Sequence, residues 1–396
     1  MPVPTSTINK LVLKPYEGSH GFGVEASGID INTITDEQFK ELERAVYEYS
    51  VVVLKGQKDL QPPAQQRLGV LFDPETPADL GHMEHVRART TIFGAGSKDE
   101  KPHLAGARLV NINGAGSFKA GHYGVPHDFT LNPLNSKGFH KVELTEEEIE
   151  GGHVRFQRWH IDWPAQKGKS PAPCTTIWAH TLPSAEPVTV HWDDGSGFTM
   201  STRPGSTAFF SAERLYNSLS PEQKTWADNA LIEYPPSPYE RLKGAKADGL
   251  GLRMFDEGNE TPLEDCQDSD PKNALVCPLV WINPITGRRA LQPHAIIAWK
   301  LHVRSSPDED YEIIDDLPTV RKLLDELQRP FITPENVCRG PRLLHQLQLV
   351  ASDDPWAPKR IPGQPYYLDK LSKSAVNPSH KGVAGTVTPA LVAAAA

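Results

Sequence analysis

The chain has 396 residues, of which 38% are hydrophobic, so it is long enough to bury a sizeable core in one large domain or in two to three smaller ones. Lys and Arg number 41 against 50 Asp and Glu, a formal net charge of −9 that argues against nucleic acid and anionic membranes as partners. Its apolar runs have the length of strands, and we expect neither a signal segment nor a transmembrane helix. The four cysteines form no C-x-x-C pair. These features predict a cytoplasmic protein.

The first predicted elements lie near the N-terminus. Residues 21–31 alternate as a strand does, and residues 36–49 carry one apolar stripe at helical spacing, with Thr35 as the N-cap. Residues 50–55 follow as a β-branched strand that we expect to be buried on both faces. Residues 73–107 are rich in glycine, proline and charge and predict no element.

From residue 156 onward, short apolar runs alternate with turn signals. The predicted strands are 175–180, 188–192, 198–202, 206–210, 279–282 and 343–350, with a hairpin turn at 193–197 and helices at 220–232 and 316–328. Many short strands with few helices predict a mostly β fold with peripheral helices, either a sandwich or a jelly roll. We assign residues 1–358 to one domain and residues 359–396 to a largely disordered C-terminal extension.

Two H-x-D motifs are candidate metal sites, His160-Ile161-Asp162 and His191-Trp192-Asp193. On a strand, residues two apart share a face, so an imidazole and a carboxylate can converge on one cation. Each motif taken alone is more often a pair of ordinary polar residues than a ligand pair. Asp193 also begins a turn, where aspartate is common for backbone reasons, and this favours the first motif.

Several stretches together resemble the taurine dioxygenase (TauD/TfdA-like) family of Fe(II)- and 2-oxoglutarate-dependent dioxygenases. They are RFQRWHIDWP (155–164), the N-terminal block from GFGVEASGIDI to LERAVYEYSVVVLKGQKDL (21–60), VTVHWDDGSG (188–197), GSTAFFSAERLYNSLSPEQK (205–224), LVWINPITGRRALQPH (279–294) and RLLHQLQLVASDDPW (342–356). The resemblance is strongest to the fungal α-ketoglutarate-dependent xanthine dioxygenase group and covers roughly residues 10–358. It implies a double-stranded β-helix, the clavaminate synthase-like jelly roll, with O2 and a small molecule as substrates.

The resemblance also implies roles for single residues. His160 and Asp162 match two iron ligands, and Thr189 and Arg342 match residues that bind 2-oxoglutarate. A guanidinium suits the distal carboxylate because it is always charged and can form two parallel hydrogen bonds. The pair Gln346 and Gln348 occupies positions that imply contact with a small polar, purine-like substrate; without the resemblance they are simply polar residues alternating with leucines.

One departure from the family concerns its second histidine ligand. The corresponding stretch, PFITPENVCRGP (330–341), contains no histidine, and we expect that one core strand is missing with it. His294 and His302 are candidate replacements. Three interpretations remain open: an active dioxygenase that hydroxylates its substrate and releases succinate and CO2, an inactive relative or incomplete gene model acting as a binding protein, and a metal-free lectin-like jelly roll. The sequence does not decide whether the chain forms a homo-oligomer.

Overall fold

The structure is a computed structural model. It describes residues 10–16, 21–72, 104–107, 109–112, 114, 116–131, 138–162, 165, 174–181, 186–255, 258–283, 285–340, 345–347 and 391–394. In the last two ranges only the backbone is described.

The strands and helices alternate along the chain as short elements. The strands are β1 (Val12–Pro15), β2 (Val24–Ser27), β3 (Val52–Leu54), β4 (Val110–Ile112), β5 (Gly116–Phe118), β6 (Phe129–Leu131), β7 (His153–Val154), β8 (Thr176–Trp178), β9 (Val188–His191), β10 (Thr199–Thr202), β11 (Thr207–Phe210), β12 (Leu231–Tyr234), β13 (Leu275–Pro278), β14 (Val280–Ile282), β15 (Arg289–Leu291), β16 (Lys300–Val303), β17 (Glu312–Ile314), β18 (Val337–Gly340), β19 (His345–Leu347) and β20 (Leu391–Ala394). The helices are α1 (Asp36–Tyr49), α2 (Pro62–Phe72), α3 (Glu146–Glu150), α4 (Ala212–Ser218), α5 (Pro221–Asp228), α6 (Pro238–Arg241) and α7 (Leu317–Gln328).

Most strand pairs are antiparallel, as the mostly β prediction requires. The sheets of three or four strands have the orders β1-β2-β3, β10-β9-β7, β13-β12-β16-β17, β4-β19-β8 and β18-β11-β20. Among the described strands, only the β2–β3 and β7–β9 pairs are parallel. The predicted hairpin at 193–197 joins β9 to β10, with His191 opposite Thr199. Within the described part of the chain, no helix has both the length and the apolar character needed to cross a membrane.

Local sequence signals fix the helices well and the strand environments less well. Helix α1 has the predicted bounds, and Thr35 and Gln38 cap it reciprocally, which satisfies backbone N–H groups that have no partner inside the helix. Strand β3 was expected to be buried on both faces, and this is wrong: all three residues are half-buried, because β3 lies at the edge of its sheet. Helix α5 ends at Asp228, earlier than predicted, because β12 begins at Leu231.

Two apolar clusters form the core. The larger contains Phe156, Trp192 and Phe210 and is built mainly from residues after 150, while the smaller packs α1 and α2 against β4 and β8. Trp192 is fully buried, and its indole N–H donates to the carbonyl oxygen of Ile332 at 2.6 Å. The strands around both clusters therefore enclose apolar side chains, and α1, α5 and α7 lie at the periphery.

The segment that lacks the expected histidine forms β18, which pairs with β11. The other edge of β11 pairs with β20, near the end of the chain. Four residues of the C-terminal extension therefore form a strand; the rest of 359–396 lies outside the described residues, where disorder stays a prediction. The backbone shows how the sheet edge beside β11 is covered, which the sequence did not indicate.

Candidate metal centre

The first H-x-D motif lies in an extended segment between β7 and β8. Trp159 and Ile161 point into the larger core and are nearly fully buried. The alternate residues, His160 and Asp162, face each other, with 3.5 Å between His160 Nε2 and Asp162 Oδ1. The predicted alternation therefore holds although the segment is not a regular strand.

A glycine holds this segment against its neighbour. The backbone N–H of Trp159 donates to the carbonyl oxygen of Gly251 at 2.8 Å. Gly251 has φ +72°, and a Cβ there would lie 2.7 Å from the carbonyl oxygens of Phe156 and Gln157. Only glycine fits, because any side chain would be strained in this conformation and would collide with backbone atoms.

The orientation of the His160 ring suits a metal ligand. Nδ1 lies 3.0 Å from the carbonyl oxygen of Arg158, so it carries the proton in that hydrogen bond and leaves Nε2 toward Asp162. Burial acts to lower the pKa of His160, but the hydrogen bond and negative charge of Asp162 outweigh it and the pKa is raised. The site therefore favours positive charge between the two side chains.

The Asp162 carboxylate is fixed from its other side. Its Oδ2 accepts a hydrogen bond from the Thr175 hydroxyl at 3.0 Å, and only 7% of the side chain is exposed. Thr175 lies next to β8, which pairs with β19. Gln346 lies on β19 opposite Ile177 of β8. The strand that carries Gln346 is therefore paired with the strand that follows Thr175, the residue that contacts Asp162. The side chain of Gln346, and all of Arg342 and Gln348, lie outside the described residues.

Thr189 is not part of the segment that carries the first H-x-D motif. It is on β9, opposite Ser201 and His153, and its backbone N–H donates to the Gly152 carbonyl oxygen at 2.9 Å. None of the described contacts joins Thr189 to His160 or Asp162. Its role in binding 2-oxoglutarate therefore stays a prediction.

The two candidate replacement histidines differ sharply. His302 is already engaged: its Nε2 lies 2.7 Å from Glu233 Oε2. His294 is completely buried and neither of its ring nitrogens has a hydrogen-bond partner. Nevertheless, His294 does not form a close three-residue group with His160 and Asp162. Among the described residues, one set of three potential ligand atoms lies within 4.8 Å of one another, and this set contains none of these three residues.

That set consists of His153, His191 and Asp193, the last two from the second H-x-D motif. His153 was not singled out from the sequence, because only the parallel pairing of β7 with β9 brings it beside His191. The two rings are stacked with centroids 3.7 Å apart and 14° between their planes. His153 Nε2 lies 2.9 Å from Asp193 Oδ2, which also accepts a hydrogen bond from Arg155.

The surface set fits a metal less well than its composition suggests. The lone pair of an imidazole nitrogen lies in the ring plane, so two stacked rings direct their lone pairs side by side rather than toward one point. Arg155 already supplies a positive charge to the carboxylate, and together with His153 it outweighs burial and lowers the pKa of Asp193. As arranged, this set is an ion-pair cluster.

Comparison with known proteins places the chain in a family. The taurine catabolism dioxygenase TauD, TfdA family matches residues 13–339, and the chain belongs to this family. It is therefore an enzyme of the 2-oxoglutarate-dependent dioxygenase class, whose cofactors are Fe(II) and 2-oxoglutarate and whose substrates are O2 and a small molecule. The mostly β sheets around the two cores are the jelly roll of that family.

Fungal relatives are similar over most of the chain. The alpha-ketoglutarate-dependent dioxygenase fc-dox of Phomopsis amygdali is 36% identical over 340 residues, which is 85% of this chain and 84% of the relative. The alpha-ketoglutarate-dependent xanthine dioxygenase xanA of Emericella nidulans is 34% identical over 335 residues, 85% of this chain and 86% of the relative. The xanthine dioxygenase xan1 of Schizosaccharomyces pombe is 34% identical over 331 residues, 83% of this chain and 78% of the relative.

Solved structures show more distant similarity. AAD-2 in complex with Mn(II) and N-oxalylglycine is 14% identical, covering 87% of this chain and 88% of that chain, with a TM-score of 0.43. A taurine dioxygenase from Burkholderia xenovorans is 15% identical, covering 87% of this chain and 81% of that chain, also with a TM-score of 0.43.

Proposed function

We propose that the chain is an Fe(II)- and 2-oxoglutarate-dependent dioxygenase that holds its metal on His160 and Asp162. The observation that carries this proposal is the half-buried, facing pair, with Nε2 and Oδ1 3.5 Å apart and the other ring nitrogen hydrogen-bonded to a backbone carbonyl. A neutral imidazole and a carboxylate are two of the three donors of the facial triad used by non-heme Fe(II) oxygenases. Thr175 completes the support by fixing the carboxylate.

In this proposal the chain's own groups position the reactants. Arg342 pairs with the distal carboxylate of 2-oxoglutarate through two parallel hydrogen bonds, and Thr189 donates one more from its hydroxyl. The bound metal and cosubstrate supply the oxidising chemistry that hydroxylates the substrate and yields succinate and CO2. The apolar residues beside the motif, Trp159 and Ile161, keep the segment rigid and exclude water from one side.

The proposed substrate is a small polar molecule of purine type, contacted by Gln346 and Gln348. An amide offers both donors and an acceptor, which matches a purine edge. Similarity to fungal enzymes named xanthine dioxygenases supports this class. We further propose a cytoplasmic location, residues 1–358 as the catalytic domain and no nucleic-acid or membrane partner; self-association to a homo-oligomer is left to direct measurement.

Anaerobic titration of the protein with Fe(II) and then 2-oxoglutarate tests the proposal. We expect a visible charge-transfer band from the iron–keto acid chelate, followed by succinate formation when O2 and substrate are added. The second motif supplies matched controls: His160→Ala should abolish the band, and His191→Ala should leave it unchanged. A band that depends on His191 and not on His160 would contradict the assignment.

Arg342 provides a separate test of the cosubstrate site. We expect Arg342→Ala to weaken 2-oxoglutarate binding by more than about 1.5 kcal/mol, the size of a lost charge-assisted hydrogen bond. Arg339→Ala, three residues earlier on β18, is the matched control and should bind normally. Unchanged affinity in Arg342→Ala, measured by calorimetry in the presence of Mn(II), would show that another residue binds the distal carboxylate.

A catalytically inactive binding protein is the second candidate. It is favoured by one observation: residues 330–341 contain no histidine, and within the described part of the chain no third ligand closes on His160 and Asp162. Under this alternative, Fe(II) and 2-oxoglutarate give no band and no succinate, while a purine still stabilises the fold. Genomic sequence that encodes a histidine between Cys338 and Arg342 would instead identify an incomplete gene model.

A further inference from the structure

His294 is a buried imidazole with no hydrogen-bond partner among the residues that the structure describes. Its exposed fraction is 0%, and both Nδ1 and Nε2 are enclosed. Its backbone is fixed instead, because the N–H donates to the Tyr234 hydroxyl at 3.0 Å. Leaving a buried polar group unpaired destabilises a fold, and natural proteins rarely do so without a functional reason.

His294 lies in the part of the core that carries the proposed metal ligands. Leu291 and Ile296, on either side of it in the sequence, belong to the same apolar cluster as Ile161, which separates the two ligands. Burial lowers the pKa of His294 far below its usual value, while the charges of His160 and Asp162 act on it in opposite directions. The ring is therefore neutral.

A second polar side chain with the same property lies two residues earlier. Gln292 is 2% exposed, and its Oε1 is buried without a hydrogen-bond partner. Its backbone N–H donates to the carbonyl oxygen of Leu279 at 3.0 Å, so the atom left without a described partner is the side-chain oxygen. Among the described residues, two enclosed polar groups without a hydrogen-bond partner therefore lie two positions apart, just beyond the end of β15.

We propose that Gln292 and His294 recognise the substrate, and that the substrate presents an uncharged edge of alternating N–H and C=O groups, as purine-diones do. This inference rests on the proposed function. The amide oxygen of Gln292 can only accept, so it requires an N–H from the ligand. A neutral imidazole has one donor and one acceptor, so His294 matches a neighbouring C=O and N–H.

The same chemistry disfavours two other ligand classes. A carboxylate would gain little from a neutral imidazole and an amide oxygen, because it needs donors or positive charge. A metal ion would need His294 within ligand distance of both His160 and Asp162, and the described geometry does not show such a group. A lactam edge satisfies every unpaired atom without adding charge to the core.

The first test needs no knowledge of the substrate. If His294 is kept unpaired for a ligand, His294→Leu removes a buried unsatisfied group and should raise the melting temperature of the ligand-free protein by a few degrees. The control is His302→Leu, which breaks the contact with Glu233 and should lower it. A lower melting temperature in both His294→Leu and the milder His294→Asn would show a structural role and overturn the proposal.

The second test measures binding of xanthine, hypoxanthine and uracil to the full chain loaded with Mn(II) and N-oxalylglycine. We expect the wild type to bind at least one of them, His294→Leu and Gln292→Leu to bind it at least about tenfold more weakly, and His294→Asn to recover part of the loss. Mn(II) affinity should be the same in all four proteins. Equal binding of the heterocycle by wild type and variants would overturn the proposal.

Failure of the proposed function can be distinguished from failure of the recognition role proposed for Gln292 and His294. If the wild type does not bind Mn(II) or 2-oxoglutarate, the proposed function fails. If it binds both but none of the three heterocycles, or if His294→Leu loses Mn(II) affinity by about tenfold or more, the assignment as an Fe(II)- and 2-oxoglutarate-dependent dioxygenase stands and the recognition role of His294 is wrong. Binding of none of the heterocycles also overturns the proposed purine-type substrate, and a loss of Mn(II) affinity identifies His294 as a metal ligand.

Discussion

Two groups of histidine and aspartate lie in neighbouring parts of this fold and differ in how their side chains are oriented and held. The His160–Asp162 pair is half-buried and is held by Thr175 and by a backbone carbonyl. The surface group of His153, His191 and Asp193 contains more potential ligands, yet its rings are stacked and Arg155 contacts its carboxylate.

The comparison shows that ligand number is a weaker criterion than ligand direction. The larger group satisfies a simple distance test but directs its lone pairs side by side. The smaller group places an imidazole nitrogen and a carboxylate oxygen face to face with the second ring nitrogen occupied, which is how ligating histidines are held. Four predictions test this difference between the two groups.

The largest expected effect is on metal binding by His160 and Asp162. We expect His160→Ala to reduce Mn(II) or Fe(II) affinity more than about 100-fold, because losing a ligand should exceed the 10–100-fold effect of losing an outer-shell partner. His191→Ala should change it by less than about twofold, the scatter of a site that is not involved. Isothermal titration under anaerobic conditions measures both. The reverse order would assign the metal to the surface group.

The packing of Gly251 against the segment that carries His160 and Asp162 should be almost as sensitive to substitution. Gly251→Ala is expected to lower the free energy of unfolding by about 3 kcal/mol or more, since it adds a clash with two backbone oxygens to the strain of a positive φ. Gly287→Ala is the matched control: its φ is +70° but no atom lies within 4 Å of its Cβ, so only about 1 kcal/mol is expected. Equal losses in urea denaturation would mean that Gly251 does not position the segment.

A moderate effect is expected from the hydroxyl behind Asp162. Thr175→Val keeps the shape of the side chain but removes the 3.0 Å hydrogen bond to Oδ2, so metal affinity should fall about tenfold. Thr199→Val, on β10 beside the surface group, changes the same atoms at an exposed position and should have no effect. An unchanged metal affinity in Thr175→Val would show that Asp162 is oriented without Thr175.

The smallest effect is a pH dependence of the surface group. Because the pKa of Asp193 is lowered in the folded protein, its ion pairs stabilise the fold above the unfolded pKa, and this contribution is lost as the pH falls through the folded value. We expect less than about 1 kcal/mol, and Asp193→Asn should flatten the stability profile below about pH 4. An identical acid profile for wild type and variant would show that Arg155 does not stabilise this carboxylate.

Much of the local structure could be predicted from single residues. The apolar stripe and the cap at Thr35 gave helix α1 with its bounds, because both depend on residues within a few positions of each other. The H-x-D spacing predicted that His160 and Asp162 share a face, and they do. The burial of individual strands was harder to predict. The sequence of β3 is typical of a central strand, and only the sheet order shows that β3 is an edge strand.

The sequence could not predict which histidines have partners. His294 and His302 were equivalent candidates, until the pairing of β12 with β16 brought Glu233 to His302 and left His294 alone. Likewise, His153 gave no signal on its own, because its neighbours belong to β9 and the hairpin after it. These contacts join residues 38 to 69 positions apart in the chain.

By itself, the sequence determined the family, the mostly β character and the histidine–aspartate pair whose side chains face each other, since all three depend on motifs or short-range spacing. Only the tertiary structure decided which polar groups are paired. Hydrogen bonds and ion pairs between strands depend on sheet order and register, and these are set by packing over the whole chain. The unpaired imidazole of His294 and the edge pairing of β11 are results of that packing.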